Sequence, residues 1–167
     1  MVKQPVRKRN RIENYDYSSP GAYFITICTR DRKPILWSES QFKLVGEAIS
    51  LPQNQVPLSA TGEIVKASIE GIPVYYPAVS VTDYVIMPNH IHMVLHLEDL
   101  CGRLIASPTV STVVGQLKRR VSLLAREKIW QRSFHDHVIR DYKDYEKIGE
   151  YIHNNPLNWE KDCFYIK

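Results

Sequence analysis

Hydrophobic and polar residues alternate, or recur with a helical period, along most of the chain. Residues 22–29 form a run of aromatic and β-branched side chains after a Ser-Ser-Pro-Gly turn, which predicts the first strand. Similar runs predict strands over 79–87, 90–97 and 134–140. Residues 42–56 fit a helix and a strand equally well, so the pattern leaves their conformation open.

Three other stretches carry the apolar period of a helix, and each begins at a residue suited to capping. The predicted caps are Thr61, Ser107 (followed by Pro108) and Asp141. Proline is expected to end the first and the last of these helices, at Pro73 and Pro156. The pattern therefore predicts one α+β domain over residues 1–167, with an antiparallel sheet and helices against one face.

The composition fits a globular protein and excludes several classes. Hydrophobic residues make up 44% and charged residues 24%, which excludes a disordered or fibrous chain. No run reaches the roughly 20 apolar residues of a membrane-spanning helix, and no signal peptide is visible. We therefore expect a cytoplasmic protein with no membrane partner. Three widely spaced cysteines without a Cys-x-x-Cys pair imply neither a disulfide framework nor a thiolate zinc site.

Basic residues are concentrated before the first acidic residue, Glu13. Residues 1–14 are thus a predicted basic N-terminal arm, in which Arg7, Lys8 and Arg9 are candidates for binding phosphates. A solvated chain terminus accounts for these residues equally well. The net charge of +4 permits a polyanionic partner without requiring one.

The segment His90-Ile91-His92 is a candidate metal site. Side chains alternate along a strand, so the two histidines share a face, with Cα atoms roughly 6.6 Å apart. That spacing suits convergence on one divalent ion, whereas His96 lies roughly 13 Å beyond His92 and is left out. Two polar residues on the wetter face of a strand are the alternative, and a metal would need a third ligand from elsewhere.

A second group of candidates lies near the C-terminus. Tyr151 and Asn155 are four residues apart and should share a helix face. Asn155 precedes a proline, so we expect it to leave α geometry and end the helix, where its amide oxygen could reach a metal. Packing beside Ile148 and Ile152 is the alternative role for Tyr151.

Three motifs then occur in order: Met87-Pro88-Asn89-His90-Ile91-His92, Gly115-Gln116-Leu117-Lys118, and Tyr151-Ile152 followed by Asn155-Pro156. Together they resemble the single-tyrosine HUH transposases, and among these the REP-associated tyrosine transposases. Residues 17–24 also resemble the opening strand of that family, so the resemblance spans nearly the whole chain. The histidine motif is weak alone, but the ordered combination is specific.

The resemblance implies a ferredoxin-like antiparallel sheet with the histidine pair on a central strand and the tyrosine on a later helix. It also implies cleavage and joining of single-stranded DNA near hairpins, through a 5′-phosphotyrosine. Carried over by motif, His90, His92 and Asn155 would be metal ligands and Tyr151 the nucleophile. Some relatives have glutamine where this chain has Asn155, and both residues offer an amide oxygen. The ligand set suits Mg²⁺ or Mn²⁺, of which Mn²⁺ is better matched to imidazole.

The polar side of the helix that follows Ser107 is the predicted DNA-binding surface. Lys118, Arg119 and Arg120 are expected to bind phosphates, although a solvated helix face explains them too. Exposed aromatic residues, such as Trp130 or Tyr142, would stack on unpaired bases.

Two rival functions and one question of assembly stay open at this stage. One rival is a phosphodiesterase that uses water as nucleophile, and the other is a hairpin-binding module without catalysis. The sequence also leaves open a homodimer in which Tyr151 acts in a partner's site.

Overall fold

The computed structural model describes residues 15–38, 57–99 and 108–165. In chain order its main elements are β1 (Gly21–Cys28), α1 (Ala60–Glu70), α2 (Ile72–Tyr75), β2 (Val79–Ile86), β3 (His90–Leu97), α3 (Val110–Leu124), β4 (His135–Ile139), α4 (Tyr142–Asn154) and a 3-10 helix (Pro156–Lys161). The predicted arm, with Arg7, Lys8 and Arg9, lies outside the described residues, as do the ambiguous residues 42–56.

The four strands form one antiparallel sheet in the order β2-β3-β1-β4. Each predicted strand is present to within one residue at either end, and β3 occupies 90–97 as predicted. Because β3 is paired on both sides, the histidine pair lies on a central strand. The predicted α+β, ferredoxin-like fold with helices packed on the sheet is confirmed.

The two faces of β3 differ in what they contact. Ile91, Met93 and Leu95 point to one face and join the main core formed with α1 and α3. His90, His92 and Val94 alternate with them and point to the opposite face. The prediction that the helices lie against one face is wrong, because α4 packs on this second face. Its buried residues Ile148 and Ile152 cover apolar side chains there, including Ala22, Val85 and Val94.

Two helix starts differ from the prediction. The cap of α1 is Ser59 rather than Thr61, since Ser59 Oγ accepts from Gly62 N–H at 3.0 Å. The cap of α3 is Thr109, which accepts from Thr112 N–H at 3.1 Å. Ser107, the predicted cap, lies outside the described residues.

The predicted end of the first helix also needs correction. That helix ends at Glu70, and Pro73 lies inside α2 instead of terminating α1. Helix α3 ends at Leu124, and just beyond it Arg126 adopts the left-handed conformation with φ +54°.

The end of α4 determines where the C-terminal residues go. Asp141 caps this helix as predicted, accepting from Asp144 N–H at 2.8 Å. The helix ends at Asn154, but the expectation that Asn155 leaves α geometry is wrong, because its φ is −60° and its ψ −45°. Asn155 precedes the first residue of a 3-10 helix, where Pro156 needs no N–H donor. The 3-10 helix thus follows α4 without turning Asn155 outwards, and Asn155 is buried.

A candidate metal centre beside a tyrosine

The histidine pair is buried and its ring nitrogens converge. His90 and His92 are 0% and 1% exposed, so the interpretation as two polar residues on a wet face is wrong. Their Nε2 atoms lie 3.0 Å apart. Two nitrogens bound about 2.1 Å from one ion, at a right angle to each other, would also be about 3.0 Å apart. The pair therefore has the spacing of adjacent ligands in an octahedral site.

A hydrogen bond with Asn89 determines which ring nitrogen of His90 carries the proton. His90 Nδ1 lies 2.9 Å from Asn89 Oδ1, while Asn89 Nδ2 donates to the Phe164 carbonyl at 2.8 Å. Because the amide nitrogen is committed to that carbonyl, Asn89 Oδ1 is the acceptor and His90 Nδ1 the donor. A neutral His90 therefore presents a lone pair on Nε2, as a metal ligand must.

His92 contacts the hydroxyl of Thr26, which can accept or donate a hydrogen bond. The register of β1 and β3 pairs His92 with Thr26, and His92 Nδ1 lies 2.8 Å from Thr26 Oγ1. In one arrangement the hydroxyl donates to Nδ1, so the ring proton is on Nε2 and can bond to His90. In the other arrangement the hydroxyl accepts a hydrogen bond from Nδ1–H. In the second arrangement His92 also presents a lone pair on Nε2. Thr26 thus supports both tautomers of the ring.

Both imidazoles are neutral at physiological pH. Burial lowers the pKa of His90 to about 3, and the charge of Arg32 adds to the effect. Burial also lowers the pKa of His92 to about 3, with a smaller contribution from His90. Since a metal ligand must be deprotonated, protons do not compete for these nitrogens near neutral pH.

The amide of Asn155 is buried one helical turn beyond Tyr151. The residue is 3% exposed, and its Oδ1 has no hydrogen-bond partner among the described residues. Its side chain forms a hydrogen bond with Tyr151, whose hydroxyl is 3.3 Å from His92 Nε2. Because buried amide oxygens are normally hydrogen-bonded, this unpaired oxygen is available as a ligand atom.

The hydroxyl of Tyr151 lies at the edge of this cluster. It is 3.3 Å from His92 Nε2 and donates to Asp162 Oδ2 at 3.3 Å. Burial raises the pKa of Tyr151 to about 12, the charge of Asp162 adds to the rise, and a side-chain hydrogen bond with Asn155 opposes it. The side chain is nevertheless 42% exposed, which leaves it accessible from solvent. A protonated phenol is thus held next to the histidine pair.

The sequence analysis missed Asp162, which completes a group of potential ligands. One ligand atom each from His90, His92 and Asp162 lie within 4.8 Å of one another. Asp162 follows the 3-10 helix, so no helical or strand period connects it with the histidines. The only available sequence signal was a carboxylate seven residues beyond Asn155.

Thr26, Asn89 and Phe24 were also missed. Phe24 stacks on His92 with ring centroids 5.1 Å apart, and it meets the Tyr151 ring edge-on at 6.1 Å. Alternation along β1 could have placed Phe24 and Thr26 on one face, but only the register with β3 identifies His92 as their neighbour.

The predicted DNA-binding residues of α3 differ in what they contact. Lys118 Nζ donates to the backbone carbonyls of Gln131, Arg132 and Ser133, at 2.5, 3.1 and 3.3 Å. Arg120 bonds to Tyr75 Oη at 2.6 Å, and its guanidinium lies over that ring. Arg119 is exposed. Lys118 therefore holds the loop before β4, which a charge pattern alone does not reveal.

The two aromatic residues expected to stack on bases have different environments. Tyr142 is 74% exposed, whereas Trp130 is only 8% exposed. The expectation that Trp130 is available for stacking is wrong, because its ring joins the main core.

Known proteins resemble this chain over most of its length. An uncharacterised protein of Haemophilus influenzae is 34% identical over 96% of this chain and 93% of its own length. A REP-associated tyrosine transposase of Escherichia coli K12 is 23% identical over 87% of this chain and 73% of its own. No protein-family profile matches the sequence.

The fold is shared with a solved structure of a REP-associated tyrosine transposase bound to a REP hairpin. That structure superposes with a TM-score of 0.61 and 20% identity, covering 89% of this chain and 74% of the other. Among the described helices, none has the length and apolar character needed to cross a bilayer.

The antiparallel sheet with its histidine pair on a central strand has the fold of a REP-associated tyrosine transposase. The resemblance to this class of HUH transposases found in the sequence is confirmed by the shared fold and by the Escherichia coli relative of that name.

Proposed function

We propose that this protein cleaves and rejoins single-stranded DNA near hairpins, as a metal-dependent transposase with a covalent tyrosine intermediate. The observation that carries the proposal is the half-exposed Tyr151 hydroxyl, 3.3 Å from Nε2 of His92. A phenol in that position is within reach of a phosphate bound at the histidine pair. We propose that residues 1–167 act as one transposase domain, with 1–14 as a DNA-binding arm.

The proposed metal ligands are His90 Nε2, His92 Nε2 and Asn155 Oδ1. The nitrogen separation of 3.0 Å and the unpaired amide oxygen both fit a divalent ion. Mixed nitrogen and oxygen ligands suit Mg²⁺ or Mn²⁺. When bound, such an ion would polarise the scissile phosphate and stabilise the charge that develops in the transition state.

The residues around Tyr151 position its hydroxyl for attack on phosphorus. Asp162 accepts its hydrogen bond and Phe24 packs against the edge of its ring, so the oxygen stays beside His92. Attack forms the Tyr151 Oη–phosphorus bond and breaks the bond between phosphorus and the 3′-oxygen, and the proton lost by the phenol balances the proton gained by the leaving 3′-oxygen. The products are a 5′-phosphotyrosine and a free 3′-hydroxyl. Because the covalent link conserves the phosphodiester energy, a 3′-hydroxyl can later rejoin the strand.

The test is incubation with single-stranded DNA that carries a hairpin, in the presence of Mg²⁺ or Mn²⁺. We expect a denaturing gel to show cleaved DNA and a covalent protein–DNA complex. Cleavage without a complex would favour water as the nucleophile. Hairpin binding without cleavage would favour a binding module, so either result contradicts the proposal.

We expect Thr26→Val to weaken Mn²⁺ binding about 10- to 100-fold, the usual effect of losing a group that orients a metal ligand. Valine preserves the shape of Thr26 but cannot bond to His92 Nδ1, so the ring loses the hydrogen bond that orients it. Isothermal titration calorimetry measures the affinity. Thr82→Val, the same change at an exposed position of β2, serves as control. Equal affinities for both variants would show that Thr26 does not orient His92.

Phosphate binding is assigned to Arg119 and Arg120 on α3 and to Arg7, Lys8 and Arg9 of the arm. The related transposase whose fold is shared was solved with a REP hairpin, which supports a hairpin-bearing DNA partner. We propose that Lys118 acts indirectly, because its ammonium already bonds to three carbonyls.

Replacing Arg119 by alanine should lower the slope of log affinity against log salt by roughly 0.7, the value for one contact with a single strand. Fluorescence anisotropy with a labelled hairpin, at several salt concentrations, measures the slope. Lys66→Ala, which removes one exposed charge from α1, should leave it unchanged. An unaltered slope for Arg119→Ala would remove this residue from the interface.

A further inference from the structure

We propose that Asp162 is the anionic ligand of the ion held by His90 and His92, in addition to the neutral amide of Asn155. This inference rests on the proposed metal site and adds a residue from the segment that follows α4. It assigns to residues 156–165 a part in building the centre.

The distances allow Asp162 to bind with little movement. Asp162 Oδ2 lies 3.9 Å from His90 Nε2, and the three ligand atoms are all within 4.8 Å of one another. Two ligand atoms at about 2.1 Å from one ion can be no more than about 4.2 Å apart. All separations in the group are within 4.8 Å, so none has to shrink by more than roughly 0.6 Å for all three atoms to reach one ion.

No lysine or arginine within the described ranges forms an ion pair with the Asp162 carboxylate. Its side chain is 3% exposed, and its one ion-pair contact there is His90. That contact supplies no proton, since His90 Nδ1 carries the proton and Nε2 presents a lone pair. Lone pairs of His90 Nε2 and Asp162 Oδ2 thus lie 3.9 Å apart without a hydrogen between them. A divalent ion bound to both atoms would balance the charge of the buried carboxylate.

The surroundings fix Asp162 with one oxygen directed at the histidines. Asp162 Oδ1 accepts from Phe164 N–H at 2.6 Å, which leaves Oδ2 on the side of His90 and Tyr151. The Phe164 carbonyl is held by Asn89, and its ring lies 4.6 Å from the His90 ring. The two carboxylate oxygens therefore differ in their contacts. Oδ1 bonds to the backbone N–H of Phe164, and Oδ2 faces the proposed metal ligands.

Asp162→Asn is the test, since it preserves shape and removes the charge. We expect calorimetric titration with Mn²⁺ to show an affinity at least about tenfold lower than that of the full-length wild type. Glu160→Gln removes an exposed charge from the same segment and should bind Mn²⁺ like the wild type. Wild-type affinity in Asp162→Asn would overturn the proposal.

Thermal unfolding separates a ligand from a merely structural residue. Added Mn²⁺ should raise the unfolding temperature of the wild type more than that of Asp162→Asn, each compared with the same protein in EDTA, because tighter binding stabilises the folded state more. An equal rise in both proteins would overturn the proposal.

The proposed metal site itself is checked by His92→Ala. If the wild type binds Mn²⁺ no better than His92→Ala does, the proposed metal site itself is wrong. If His92→Ala loses binding while Asp162→Asn keeps it, only the role of Asp162 fails.

Discussion

Replacing Tyr151 by phenylalanine should abolish strand cleavage and the covalent protein–DNA complex while hairpin binding persists. In the proposed mechanism the hydroxyl oxygen is the attacking atom, and removing a nucleophile typically lowers turnover by a factor on the order of 10⁴ or more. Its hydrogen bonds with His92 and Asp162 are long, at 3.3 Å each, so the variant should lose less than about 1 kcal/mol of stability. A denaturing gel measures the complex, and anisotropy measures hairpin binding.

The matched control is Tyr142→Phe, on the first turn of the same helix. Tyr142 is 74% exposed, far from the C-terminal end of α4, and its loss should leave cleavage intact. Mass spectrometry of the trapped wild-type complex should find the nucleotide on the peptide that contains Tyr151. Attachment to Tyr142, Tyr145 or a serine would contradict the assignment, as would continued cutting by Tyr151→Phe.

His92→Ala should lower cleavage by roughly 10³-fold, the equivalent of the several kcal/mol that a catalytic metal supplies. EDTA should stop the wild-type reaction, and added Mg²⁺ or Mn²⁺ should restore it. We expect this loss because His92 Nε2 lies between the other histidine and the tyrosine, 3.0 Å from His90 Nε2 and 3.3 Å from the Tyr151 hydroxyl. Initial rates on a labelled hairpin substrate measure the effect.

His96→Ala is the control on the same strand, and it should retain most of the activity. His96 pairs with Ala22 of β1 and lies outside the group of convergent ligand atoms. Equal losses in His92→Ala and His96→Ala would mean that the register assigned to β3 does not determine the metal site. The unfolding temperatures of both variants should be compared, because His92 is fully buried and its replacement also affects the stability of the fold.

The strands could be predicted well because a period of two depends only on neighbours along the chain. The run from His90 to Leu97 has charged or turn-forming residues beyond it, and both ends were found. Helix caps were predicted less well because contacts distant in sequence select among several suitable residues. Ser59, for example, also donates its hydroxyl to the Ile35 carbonyl, a contact that no local pattern contains.

The candidate site was only partly visible in the sequence. His90, His92, Tyr151 and Asn155 came from motifs, and the structure places the Tyr151 hydroxyl 3.3 Å from His92 Nε2. Asp162 lies after the 3-10 helix, beyond the helical period that relates Tyr151 to Asn155. For Lys118 the sequence predicted too much. Its charge indicated a contact with DNA phosphates, whereas its ammonium group donates to three backbone carbonyls.

The Asn89–Phe164 hydrogen bond has a consequence for a chain that is still being synthesised. It joins residues 75 positions apart, and the contact of Thr26 with His92 spans 66. Such distant contacts form only after long loops close, and Phe164 is synthesised 75 residues after Asn89. A nascent chain therefore has all four strands of the sheet before it has Tyr151, Asn155 or Asp162. The proposed site can assemble only after the sheet has been synthesised.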